Sequence, residues 1–136
     1  MTGADLARSY IWKAETRIDA LEALFKRDNF SDVVREAQET VELALKGMLR
    51  TVGVEPHKYH DVGGLLMEHR ERFEEALRKE LRRAAAISKR LRKERELAFY
   101  GDIDFIPTEE YTSEDARQAL ADARWVVQLA KKALVK

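Results

Sequence analysis

The sequence contains no cysteine, which removes disulfides, thiolate nucleophiles and thiolate metal sites at once. Asparagine occurs once, at Asn29, and proline twice, at Pro56 and Pro107. With so few prolines and only six glycines, there is little punctuation for a fold built of many short strands. No apolar run approaches the roughly 18 residues of a membrane-spanning helix, and no signal-peptide pattern opens the chain. Nor is there an excess of charge of either sign, because 25 basic residues balance 25 acidic ones. Zero net charge argues against whole-molecule attraction to nucleic acid or an anionic membrane, while leaving room for a local basic patch. The expectation is a cytoplasmic protein with no membrane or DNA partner.

What is present is charge and helical period. Charged residues make up 37% of the chain, and many Lys, Arg and Glu with few amides is a thermophile-like composition. The 136 residues fit one domain, 1–136, with no repeat or linker. Apolar residues recur every three or four positions, which predicts an all-α, antiparallel up-and-down bundle of four long helices plus one short helix. The first helix is expected from about Ala4 to Arg27, with Leu6, Tyr10, Ala14, Ile18, Leu21 and Phe25 inward. After the turn at Asp28–Asp32, Val34, Ala37, Val41, Ala44, Leu45, Met48 and Val52 share a face of the second. Gly53 and Pro56 stop it. Asp61 is placed to cap a short helix through Leu65–His69. A long helix from about Arg72 to Tyr100 carries Phe73, Leu77, Leu81, Ala84, Ser88 and Leu91. Thr112 or Ser113 caps the last helix, with Glu114 and Asp115 favoured by the macrodipole in its first turn. Its inner face is Ala116, Ala119, Ala123, Val127, Ala130 and Leu134.

The stretch RKERELAFYGD, Arg92–Asp102, breaks the apolar rule. Continuing the stripe from Ser88 in steps of about 100° brings Arg95 back to within about 20° of it, with Arg92 and Phe99 each about 40° away. Tyr100 falls at the edge of that face. Charged side chains are rarely buried without a partner. Either the two arginines snorkel toward water or toward Asp102, Asp104 or Glu109, or they hold an anion such as phosphate in a fork. An aromatic pair, Phe99 and Tyr100, could stack on a base or shape the cleft.

Three stretches resemble the HEPN domain family, the "higher eukaryotes and prokaryotes nucleotide-binding" helical bundle. They are VVREAQETVELALKGMLRTVG (Val33–Gly53), HKYHDVGGLL (His57–Leu66) and RELAFYGD (Arg95–Asp102), the last followed by a helix start at Tyr111, Asp115 and Ala116. The likeness is greatest to small stand-alone prokaryotic members. It implies a homodimer in which the motif regions of two chains face one cleft. In active members an arginine, followed after four to six residues by a histidine, forms a metal-independent endoribonuclease centre. By that resemblance Arg95 is the arginine, but the corresponding later position is Tyr100, and His57, His60 and His69 all precede the motif. Tyrosine, with a pKa near 10, is a poor base at neutral pH, and losing a general base typically costs about 10²–10⁴-fold. The resemblance therefore implies a phosphate or nucleotide pocket of Arg92, Arg95, Phe99 and Tyr100 with a degenerate ribonuclease motif and no assigned catalytic residue. It also implies a possible small nucleotidyltransferase partner in a toxin–antitoxin-like pair, with Tyr100 as the modification target or, more simply, as a structural residue.

Other constellations carry less. His57 and His60 have HxxH spacing but no thiolate and no evident carboxylate set, so neither a metal nor another cofactor is expected. Gly63-Gly64 follows no strand and precedes no GK[ST], so it reads as a close-packing device and not as a phosphate loop. The basic run Arg78–Arg95 reads either as an RNA-binding helix or as a solvated face with glutamate partners. Trp125 and Leu129 lie roughly opposite Ala116, which suggests an outward protein contact, with Trp12 contributing. The leading function is a HEPN-type dimeric module. The alternatives are an active metal-independent endoribonuclease using Arg95 and a non-histidine base, and a purely structural interaction protein.

Overall fold

The computed structural model describes residues 3–56, 61–99, 106 and 110–134, excluding the side chains of 95–99. It is all-helical over those residues. In chain order the helices are α1 (Gly3–Lys26), α2 (Phe30–Thr51), α3 (Val62–Glu68), the single turn α4 (Glu75–Arg78), α5 (Leu81–Phe99) and α6 (Ser113–Leu134). A 3₁₀ turn, Arg70–Arg72, joins α3 to α4. The expected bundle of four long helices plus a short one is therefore found.

The three-residue link between α1 and α2 reverses the chain. Asp28 takes the left-handed conformation there, with φ of 59°. The helices then pack along their lengths, and Gly47 of α2 sets how closely they approach. A Cβ built there would lie 2.5 Å from Ile11 Cγ1, so only glycine leaves that space. This contact corrects the expected α1 stripe. The buried residues are Ala7, Ile11, Ala14 and Leu21, while Leu6, Tyr10, Ile18 and Phe25 are only partly buried. The stripe is rotated because α1 packs against both α2 and α6.

Helix α2 is the centre of the bundle, packed against α1, α3, α5 and α6. It therefore buries more than one stripe, adding Ser31, Val33, Gln38, Thr40, Gly47 and Leu49 to the expected face. Its partner α6 starts with a reciprocal cap. Thr112 Oγ1 accepts from the Asp115 backbone N–H at 3.2 Å, and Asp115 Oδ2 accepts from the Thr112 N–H at 2.9 Å. Of the two expected caps, Thr112 is the one used.

The expected long helix from Arg72 is not continuous. Phe73 and Glu74 are extended, with ψ near 150°, and α4 makes one turn before α5 begins at Leu81. The bend lets Phe73, Leu77 and Leu81 all reach the core. Burying a side chain such as Phe73 is worth about 1.5–3 kcal/mol, comparable to the helical hydrogen bonds forgone. Arg78 Nη2 donates to the Phe73 carbonyl at 2.9 Å, and Arg72 Nη1 donates to the Val52 carbonyl at 3.2 Å, which ties the bend to the end of α2.

Candidate functional site

Helix α5 presents Leu81, Ala84, Ile87, Ser88 and Leu91 to the core. Its last turns carry the arginines. Arg92 is half-exposed, and its Nη1 lies 3.1 Å from Asp61 Oδ1. Asp61 occupies the N-cap of α3, but its side chain makes no cap hydrogen bond and turns to the arginine instead. Arg92 thus finds a carboxylate on α3, which sequence spacing did not suggest. The Asp61 side chain is itself 50% exposed. The backbone of Arg95 and Phe99 belongs to α5, but their side chains, together with Tyr100, Asp102, Asp104, Glu109, His57 and His60, lie outside the described residues.

On the other side of α5, a cleft of about 490 Å³ opens toward the start of α6. Arg90, Glu94, Glu110, Tyr111, Asp115 and Gln118 give it its polar character. Two hydrogen-bonded groups frame it. Tyr111, itself buried, donates its hydroxyl to Glu94 Oε2 at 3.0 Å. Burial, and then the neighbouring Glu94 carboxylate, push the Tyr111 hydroxyl well above the usual tyrosine pKa, so it is a neutral donor. Behind it, Asp122 is 4% exposed, pairs with Arg90, and accepts from Gln118 Nε2 at 3.0 Å.

The balance of charge decides what each side of α5 suits. In the cleft, Asp122 already compensates Arg90, and Glu94, Glu110 and Asp115 remain as carboxylates. A phosphate placed there would meet net negative charge. Residues 92 and 94 lie about 200° apart around a helix, so Arg92 stands on the α3 side, away from those carboxylates.

Sequence reasoning missed both framing groups. The Gln118–Asp122 pair has helical i,i+4 spacing, and Asp122 adjoins the inner-face residue Ala123, so a signal existed. Tyr111–Glu94 spans two elements and left none.

The outward stripe on α6 is corrected. Leu129 is only 4% exposed, because α6 buries two adjacent faces against α1, α2 and the α4–α5 corner. Trp125 is half-buried, with the Arg83 guanidinium 4.0 Å from its ring centroid. Trp12, at 62% exposure, is the large apolar side chain that does face solvent on α1. His69 is half-buried, with Nε2 3.4 Å from a Glu68 carboxylate oxygen. Among the described residues, no group of three or more His, Asp or Glu side chains is arranged to hold a metal ion, and no helix is long and apolar enough to cross a membrane.

An all-helical bundle is the architecture that the sequence resemblance implied. The HEPN domain family model matches residues 7–133, and the chain belongs to that family. It is similar to the "Putative toxin MJ1304" of Methanocaldococcus jannaschii, with 28% identity over 131 residues, covering 92% of this chain and 86% of the relative. No solved structure gives a significant match.

Proposed function

We propose that this chain is a toxin-like HEPN module that grips nucleotide or RNA phosphate at the exit end of α5. Arg95 is the principal fork, Arg92 stands beside it, and Phe99 and Tyr100 form the rim. The observation that carries this reading is the motif itself: an arginine on the last turns of α5, with tyrosine where active members place histidine. Arg92 supports it. Its ion pair with a half-exposed carboxylate is worth about 0–1 kcal/mol, so a phosphate that accepts a bidentate arginine fork can displace Asp61. Two chains face one shared cleft as a homodimer. A small nucleotidyltransferase is the partner that fits, with Tyr100 as its target.

Binding of a nucleoside monophosphate and of a short RNA, with thermal melts, tests this on Arg95→Ala and Arg95→Lys. Arg95→Ala abolishes nucleoside monophosphate binding, weakens RNA binding and leaves the melt nearly unchanged. Arg95→Lys impairs binding, because an ammonium cannot reproduce the planar fork. Tyr100→His raises RNA cleavage. If Arg95→Ala instead lowers the melting temperature and alters no binding, the arginine serves the fold and the proposal fails. The similarity to a protein named as a toxin favours a second reading, an active metal-independent ribonuclease. Robust RNA cleavage by the unchanged chain, lost in Arg95→Ala, selects it.

A further inference from the structure

We propose that the solvent face of α5 is a single-stranded RNA track that leads phosphates toward the Arg95 end. Helix α5 carries seven cationic residues against two glutamates, in a chain whose total charge is zero. Arg82, Lys89 and Lys93 are all exposed. Their spacing of seven and four residues keeps them within about 40° of one another on the helix, along a line of about 16 Å. Among the described side chains, no carboxylate pairs with any of the three or with Arg83, while Arg78 at the start of the basic run does pair with Glu71. Arg83 lies over the Trp125 ring instead, a contact that holds the guanidinium in place without cancelling its charge.

Two features make this more than a solvated helix. First, Arg82 and Arg83 stand in the first turn of α5, where no acidic residue is present and where the macrodipole disfavours cations. Second, Arg90 and Arg92, which flank the line on either side, do have carboxylate partners in Asp122 and Asp61. Among the described side chains of α5, the cations without a carboxylate partner are therefore this ridge and Arg83, which stands beside its start over Trp125. A polyanion with phosphates at regular intervals complements such a ridge, and about 16 Å accommodates a few successive phosphates. A membrane surface fits less well. The apolar face of α5 is turned into the core, and the exposed large apolar side chains among the described residues, Trp12 and Ile106, are on other segments. The direction of the track, though not its charge, rests on the reading that Arg95 engages phosphate.

The test uses the full chain with Arg82, Lys89 and Lys93 all changed to Glu, and a second variant with all three changed to Gln. The probe is a labelled single-stranded RNA of about ten nucleotides, titrated across a salt series. The Glu variant is expected to bind at least about tenfold more weakly at low salt, and the Gln variant to lose about two units of log–log salt slope. Both keep nucleoside monophosphate binding, which reports the Arg95 end alone. Conversely, Arg95→Ala loses the monophosphate but retains salt-dependent RNA binding. If the Gln variant binds RNA with unchanged affinity and slope, the track is wrong, whatever Arg95 does. If Arg95→Ala leaves monophosphate binding unchanged, the proposed function fails and the track is judged on its slope alone. Binding to phosphatidylserine vesicles that both triple variants lose, with no RNA binding by the unchanged chain, would overturn the track in favour of a membrane surface.

Discussion

Tyr111 shows how a single residue can couple the start of one helix to the side of another. Its hydroxyl donates to Glu94 across the cleft, and burial keeps it neutral. The consequence for stability follows from linkage. The folded pKa lies above the unfolded value of about 10, so the folded state binds the proton more tightly. The contribution is complete below about pH 10 and is lost as pH rises beyond it. Urea unfolding between about pH 8 and pH 11 should therefore show stability falling above pH 10. Tyr111→Phe should cost about 1 kcal/mol at neutral pH, since the lost hydrogen bond goes to a partly exposed carboxylate. It should also flatten the alkaline decline. Equal alkaline slopes in the two proteins would mean that another group governs the decline.

At the scale of elements, the seat of α3 on α5 depends on one glycine of a pair. A Cβ on Gly63 would lie 3.0 Å from the Ala85 Cα and 3.1 Å from its carbonyl oxygen, and backbone cannot swing aside. Gly63→Ala should destabilise the protein by about 1–3 kcal/mol through overpacking, more than the roughly 0.5–1 kcal/mol gained in helix propensity. Gly64→Ala meets only the Asp61 side chain at 3.1 Å, which can move. It should be neutral or slightly stabilising in the same thermal melts. Equal losses from both would show that α3 is positioned by something other than this contact. The pair's role was legible from composition, but not which glycine performs it, because that depends on the facing backbone. The same limit recurs elsewhere. The ends of α1 and the cap of α6 could be read to within a residue, since turn and cap chemistry is local. The break before Leu81 could not, because Phe73, Leu77 and Leu81 keep helical spacing through it. The outward reading of Leu129 failed for a related reason: an alanine stripe marks the closest contact of α6, while neighbours on two further sides cover the adjacent face. At the site, helical phase carried Arg92 to the edge of the core, but its partner Asp61 comes from a distant element.

At the scale of the whole molecule, zero net charge conceals segregation. The cations concentrate on α5, and the remainder of the chain is correspondingly acidic. In the proposed homodimer, two α5 exit ends face one cleft, so Arg92 and Lys93 of each copy approach those of the other. Like charges brought together oppose association at low ionic strength, and salt screens them over a Debye length that falls from about 30 Å at 0.01 M to about 8 Å at 0.15 M. Light scattering should then give about twice the chain mass of 15.7 kDa, with a dimer that tightens as salt rises across that range. Inorganic phosphate should tighten it further than chloride at equal ionic strength, because a bound anion would sit between the two sets of arginines. A chain that stays monomeric at micromolar concentration in both conditions would rule out the shared cleft. A dimer that loosens with salt would place the interface where opposite charges meet, away from the end of α5.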